Sequence, residues 1–439
     1  MRRSYKSTAI PCCSSGGCDL FVYLQIIDSL LCFDQSNRMP ANEPMTESAQ
    51  PVPQPSSSIT LQIISIVFYT FIAFFSIGLP IAVLPGYVHD QLGFSAVVAG
   101  VVIGAQYLAT LLSRPSAGRM ADVLGTKRTI VYGLIGIGIS GALTLASAFL
   151  HSAPQWSLGV LIAGRVVLGL AQGAIGVGTS SWGISRVGAE HMAKVISWNG
   201  IASYGAIAIG APLGVLMVAL TGFWTLGVAL MALSGLGLWM IRSTPAAPVV
   251  RGERMPFWAA FGRVAPHGMS LMLASIGYGT LTTFITLYYV ERGWEGAAWC
   301  LTAFGLSFIV ARLVFVNTIN HLGGSTVAMA CIATEVIGLT LLWLAPSTVF
   351  TLAGAALAGL GLSLVYPALG VLAIHKVPGT SRGAGLSAFA VFFDLALAIA
   401  GPVMGAVAAG FGYGSIFALA AGLSLIALGL TWWLSRRDQ

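Results

Sequence analysis

Residues 96–150 read AVVAGVVIGAQYLATLLSRPSAGRMADVLGTKRTIVYGLIGIGISGALTLASAFL. Two apolar runs, 96–113 and 129–150, flank a connection that carries Arg114, Arg119, Asp122, Lys127 and Arg128. A helix needs about 20 mostly apolar residues to cross a bilayer, and each run is near that length. A short charged turn between two such runs predicts a pair of membrane-spanning helices.

The pattern recurs along the chain. Twelve spans are predicted, at 61–84, 96–113, 129–150, 157–180, 195–220, 222–241, 267–290, 297–316, 325–345, 349–374, 384–409 and 412–434. Several contain Gly or Pro, as at Gly78–Pro80, Ala211–Pro212 and Gly401–Pro402. Membrane bundles tolerate this because neighbouring helices satisfy the freed backbone groups.

Composition agrees. Of 439 residues, 56% are hydrophobic and only 8% are charged, with a mean hydropathy of +0.87. A soluble domain carries roughly 25% charged residues, so a soluble enzyme of this size is excluded. The net charge of +7 lies in short loops rather than in a basic stripe, which argues against nucleic acid as a partner. The partner this composition implies is the lipid bilayer. Six cysteines without a CxxC pair, and histidines without ligand spacing, imply neither a metal nor a disulfide framework.

Lys and Arg orient the spans, because positive loops stay cytoplasmic. With the N-terminus inside, the outer loops hold only Arg292, and Arg165 lies within the fourth span. Both termini are therefore expected in the cytoplasm, with the protein in a bacterial-type inner membrane. Residues 1–60 stand apart: 50–58 (QPVPQPSSS) has linker composition, and the apolar stretch 20–33 is too short to span. A disordered or dispensable N-terminal extension is the expectation for 1–60. A six-helix bundle over 61–241 follows, then a cytoplasmic linker over 242–266, a second bundle over 267–434 and a tail over 435–439.

The two bundles repeat. An offset of 198 places Arg114 on Arg312, Asp122 on Asn320, Leu124 on Leu322 and Gly125 on Gly323; an offset of 190 places Arg186 on Lys376, Val187 on Val377 and Pro212 on Pro402. Parallel duplication of six spans about a cytoplasmic linker is a known transporter architecture.

Local motifs name a family. Gly118-Arg119-Met-Ala-Asp122-Val-Leu-Gly125-Thr-Lys127-Arg128 resembles the loop signature of the major facilitator superfamily, with Val123 and Thr126 where that signature has basic residues. Arg165-Val-Val-Leu-Gly169-Leu-Ala-Gln-Gly173 resembles its second motif, and Gly210-Ala211-Pro212-Leu213-Gly214 resembles the glycine–proline motif associated with antiporters, with Ala211 inserted. Segments 78–90 (GLPIAVLPGYVHD), 107–119 (YLATLLSRPSAGR), 195–200 (VISWNG) and 210–215 (GAPLGV) resemble the YhhS-type branch, grouped with sugar- or drug-efflux permeases. The resemblance covers the chain from Leu61 onward. It implies an all-α membrane protein of twelve helices in two pseudo-symmetric bundles, a monomer without cofactors, and alternating access around a central cavity. The loop around Gly118, Arg119, Asp122, Gly125, Lys127 and Arg128, with Arg114 beside it, would favour one of two facings.

Charges inside spans are costly, about 2.5–3.5 kcal/mol each on insertion scales, and so are functional candidates. Asp394 lies mid-way along the eleventh span among Phe389, Phe392 and Phe393, where a buried carboxyl can take up and release a proton; a structural bond to the eighth or tenth span is the alternative. Arg165 is either an anion ligand and modulator of Asp394 or a structural clamp. Glu335 lies in the ninth span, peripheral in the resembled fold, where a structural role competes. Tyr69, Gln106, Gln172, Trp198, Asn199, Tyr204, Tyr278, Tyr288 and Tyr366 are candidate cavity liners, since small-molecule pockets set a few polar groups among aromatics. The Gly136-Ile-Gly138-Ile-Ser-Gly141 match to a dinucleotide fingerprint lies inside the third span with no preceding strand. It is read as helix packing.

The expected function is proton-coupled export of a small solute. Proton-coupled uptake of a sugar or organic acid is the first alternative, and a non-transporting membrane sensor or scaffold is the alternative of another class.

Overall fold

The computed structural model describes residues 56–188, 191–245, 257–315, 318–377 and 382–437. The expected extension therefore lies, up to residue 55, outside the described residues. So does the middle of the linker, residues 246–256.

Twelve long helices follow one another among the described residues: α1 (Ser56–Ile81), α2 (Ala96–Val123), α3 (Thr126–Phe149), α4 (Pro154–Val187), α5 (Met192–Thr221), α6 (Trp224–Arg242), α7 (Phe257–Arg292), α8 (Ala298–Val314), α9 (Gly324–Trp343), α10 (Thr348–His375), α11 (Arg382–Phe411) and α12 (Tyr413–Arg437). Eleven are long and apolar enough to cross a membrane, and α8 is a shorter apolar helix of 17 residues. At 1.5 Å per residue α8 is about 26 Å long, slightly less than the roughly 30 Å hydrocarbon layer. Large apolar side chains such as Leu108, Leu216, Leu306 and Ile426 remain exposed on the bundle, as lipid-facing residues do.

Two boundaries move by ten residues, and the first of them is the end of the second helix, which runs on to Val123 rather than 113 and so carries Arg114 and Arg119. The seventh helix starts at Phe257 rather than 267, so it takes in the end of the expected linker. Phe261 gives the reason: its ring stacks on Phe392 of α11 at 4.8 Å, and that contact extends the helix beyond its apolar span.

The repeat is visible in the packing. In the first half α3 packs on α4, α1 on α5, α2 on α4 and α3 on α6; in the second, α9 packs on α10, α7 on α11, α8 on α10 and α9 on α12. Gly125 and Gly323, equivalent by the 198-residue offset, start α3 and α9 with φ of 89° and 81°. A side chain is strained at such angles, which explains glycine at both turns.

The halves meet through two equivalent pairs, α2 with α11 and α5 with α8. Twelve crossings return the chain to the face from which it starts, so Ser56 and Arg437 share one face, which we term the terminal face. The α2–α11 crossing lies toward the opposite face, where a Cβ on Gly401 would come within 2.2 Å of the Gly100 carbonyl oxygen. There Thr286 of α7 also donates to the Ala82 carbonyl at 2.8 Å.

Proline organises the second pair. Pro212 has no N–H to give the carbonyl four residues back, that of Ala208. The Thr302 hydroxyl of α8 donates to that oxygen at 2.7 Å. The repeat-equivalent oxygen, Ala398 O below Pro402, lies against Gly104 of α2, where a Cβ would come within 2.7 Å.

Candidate binding cavity

Between the halves lies a cavity of about 280 Å³. Its lining comes from the terminal-face ends of α4, α5, α8 and α11, with Thr70 and Phe74 of α1, Arg114 of α2, Leu271 of α7, and Leu362 and Tyr366 of α10. Toward the opposite face the α2–α11 and α5–α8 crossings close it. The present conformation thus offers the cavity toward the terminal face.

Two arginines line this cavity. Arg114 Nε donates to Asp394 Oδ2 in an ion pair that joins α2 to α11 across the halves. It is the one ion pair among the described residues. Asp394 is almost wholly buried, whereas Arg114 keeps 18% of its side chain exposed.

Arg312, on the last turn of α8, is held differently. Pro367 leaves the Ser363 carbonyl of α10 without its helical donor, and Arg312 Nη2 donates to that oxygen at 2.5 Å. The Ser363 hydroxyl donates in return to Phe308 O at 2.7 Å. The Arg312 guanidinium sits over the Phe308 ring, 5.1 Å from its centroid. Tyr204 stacks on the same ring at 3.7 Å.

The sequence candidates separate into groups. Asn199, Tyr204 and Tyr366 line the cavity. Tyr278 stands one layer behind, its ring 5.4 Å from Tyr204 and 5.0 Å from Phe304. Trp198 lines a separate apolar groove with Phe68 and Phe71 of α1. Tyr69 stacks on Trp182 at 6.2 Å and shares a hydrogen bond with Thr244, away from the cavity. Tyr288 lies near the opposite face and donates to Leu342 O.

Gln106 and Gln172 form a buried polar layer with Arg165. Arg165 Nη1 donates to Gln106 Oε1 at 3.3 Å, Gln106 Nε2 donates to Gln172 Oε1 at 3.3 Å, and Thr110 adds a second donor to Gln172. The expected modulation of Asp394 by Arg165 meets a different arrangement, because the cation bonded to Asp394 is Arg114. Glu335 is buried in α9 and is not among the lining residues; its Oε2 has no hydrogen-bond partner among the described residues.

The motif loop has mixed surroundings. Lys127 donates to Thr244 O at 2.8 Å and Arg242 O at 3.4 Å, so it caps the C-terminal end of α6. Arg119 and Arg128 are exposed and Gly118 has open space beside it. The Asp122 side chain lies outside the described residues. In α5, Gly210 and Gly214 bring the helix against α1: a Cβ on Gly214 would meet Leu79 O at 1.7 Å. Gly401 and Pro402 serve the α2–α11 crossing in the same way.

Charge patterning alone puts Arg114 in the loop after the second span and Arg312 near the inner end of the eighth, where a long side chain can reach solvent. Their equivalence in the repeat is the signal that could have placed them inside the bundle.

The profile of the family described as Major Facilitator Superfamily matches residues 66–298 and 270–439. An uncharacterized MFS-type transporter of Pseudomonas aeruginosa (strain UCBPP-PA14) is 53% identical over 399 residues, covering 90% of this chain and 99% of the relative. Among solved structures, a D-xylose–proton symporter superposes with a TM-score of 0.69 at 14% identity, covering 84% of this chain and 97% of its own. The nucleoside transporter NupG gives a TM-score of 0.67 at 17% identity, with 85% and 99% covered. At such identities the two structures speak for the fold.

Proposed function

The chain belongs to the major facilitator superfamily, and on that premise we propose that it is a proton-coupled carrier of a small solute, with Asp394 taking and giving the proton. The single observation that carries this reading is the Arg114–Asp394 ion pair in the cavity wall, between helices of different halves. Alternating access moves the 61–241 and 267–434 bundles against one another, and that motion separates α2 from α11. Separation leaves two buried charges without each other, which is costly. A proton on Asp394 removes one of them, so reorientation is tied to protonation. The bias the pair gives one facing is a few kcal/mol, small enough to reverse.

Export is the direction to which the Gly210-Ala211-Pro212 resemblance and the YhhS-type segments point. The distribution of Lys and Arg supports a bacterial inner membrane with the terminal face in the cytoplasm. Membership of this superfamily, in which a single two-bundle chain suffices for transport, supports a monomer. Uptake with protons is the second reading, and Arg312 favours it. An anionic solute seated on that unpaired guanidinium would repel an ionised Asp394 and load together with the proton.

The test uses everted membrane vesicles with no imposed pH gradient, an internal pH dye, and a panel of sugars, organic acids and amphipathic drugs. A solute entering by exchange drives protons out; one entering by co-transport drives them in. Asp394→Asn is expected to abolish either response. A response equal to wild type in Asp394→Asn overturns the assignment.

A further inference from the structure

Arg114 and Arg312 stand 198 residues apart at equivalent places in the repeat, and both line the cavity. Their partners differ. Arg114 has the Asp394 carboxylate. In the 190-residue register that places Pro212 on Pro402, the residue equivalent to Asp394 is Tyr204. Where one half-interface sets a carboxylate beside its arginine, the other sets a neutral phenol, and Tyr204 and Arg312 both lie against the Phe308 ring.

Arg312 is therefore a guanidinium, 5% exposed, without a carboxylate partner among the described residues. One of its donors goes to Ser363 O; its Nε has no partner among the described residues. Asn199, in the adjoining cavity wall on α5, repeats the theme: its Oδ1 accepts from Thr70 at 2.6 Å, while its Nδ2 has no partner among the described residues. The unmet polar groups on this side of the cavity are donors. A buried, unpaired cation calls for an anion.

We infer that Arg312 seats the anionic group of the transported solute, a carboxylate or a like planar anion, with Asn199 as a second donor. A planar guanidinium fork matches a carboxylate in geometry as well as charge. Phe74, Phe308 and Phe393 line the same cavity and take the apolar remainder, so the solute class is a small amphipathic organic acid. Gly200 keeps the seat open. A Cβ there would come within 2.6 Å of Arg312 Nη1, the movable end of a flexible side chain, so a methyl group displaces the guanidinium rather than the helix.

This inference rests on the cavity being the transport site, and its test separates it from the proton assignment. The purified full-length protein in lipid nanodiscs is titrated with benzoate, cinnamate and hexanoate, each against its primary amide, with thermal unfolding as the readout. The acids are expected to stabilise the protein and the amides to leave it unchanged. Arg312→Gln weakens acid binding about 10- to 100-fold, and Arg312→Lys, which keeps the charge without the fork, falls between. Gly200→Ala weakens acid binding in a folded protein. Asp394→Asn retains acid binding, so a failed proton assay and a failed anion site are told apart. Amides that bind as well as acids, acids that bind Arg312→Gln as they bind wild type, or an acid series that does not bind at all, overturn the inference.

Discussion

Arg114 of α2 and Asp394 of α11 are bonded to each other although they belong to different halves of the molecule. Arg114 faces the cavity and Asp394 lies behind it, so water reaching the cavity meets the cation first. On the proposed mechanism, opening of the opposite face parts the two helices, and the pair resists that parting while Asp394 is ionised.

Removing either charge alone is expected to lower stability by about 1–3 kcal/mol, because the survivor is left partly buried. The double variant Asp394→Asn with Arg114→Gln should lose less than the sum of the two, giving a coupling energy of about 1 kcal/mol or more. Thermal unfolding of the purified proteins in one detergent measures all four corners of the cycle. Additive losses would mean that the pair contributes nothing.

Thr302→Val keeps the side-chain volume but removes the donor to Ala208 O. That carbonyl, already without its helical partner because of Pro212, is then unsatisfied and buried at a cost of about 1–3 kcal/mol. Adding Pro212→Ala supplies an N–H from within α5, so the double variant should recover part of the loss in the same unfolding assay. No recovery would show that the freed carbonyl is not the reason for the loss.

Gly214→Ala should be poorly tolerated, since its Cβ would meet the Leu79 backbone oxygen at 1.7 Å and backbone cannot swing aside. Overpacking of this kind costs about 1–3 kcal/mol or more. Gly422→Ala in α12, with nothing within 4 Å, should be neutral or slightly stabilising through helix propensity. The yield of folded, extractable protein and its melting temperature distinguish the two.

Gln106→Leu takes away the acceptor that Arg165 uses and leaves that cation buried. A loss of about 2–3 kcal/mol is expected, with partial rescue by Arg165→Met in the same chain. Retained proton-linked transport in the rescued double variant would mark Arg165 as a structural residue. Loss of transport in a folded double variant would restore it as a functional one.

Much of the architecture is legible in the sequence alone. Twelve apolar runs, the Gly125 and Gly323 turns and the Pro212–Pro402 register are local features, and hydrophobicity and turn chemistry act locally. Helix ends were less legible: Phe257–Arg263 reads as linker because it is a short apolar stretch between charges, Arg251, Glu253 and Arg254 before it and Arg263 at its end, and only Phe392 on a distant helix shows why it coils. Asp394 stood out from sequence because a lone carboxylate within an apolar run has few uses.

Its partner did not stand out. Arg114 reads as a loop charge and Arg312 as a charge at the inner end of its span, and a long side chain near a helix end can point to solvent or turn inward. Among the tyrosines and amides, sequence supplied the residue types but not the helix faces, so Asn199, Tyr204 and Tyr366 could not be told from Tyr69, Trp198 and Tyr288. The chain by itself determined that this is a twelve-helix membrane bundle built by duplication, since burial in lipid imposes length, hydropathy and internally satisfied backbones on each segment alone. Only the tertiary structure decided which charges are paired. That depends on how closely helices approach at contacts such as Gly100–Gly401 and Gly214–Leu79, and on the carbonyls that Pro212 and Pro367 leave free for a neighbour's donor.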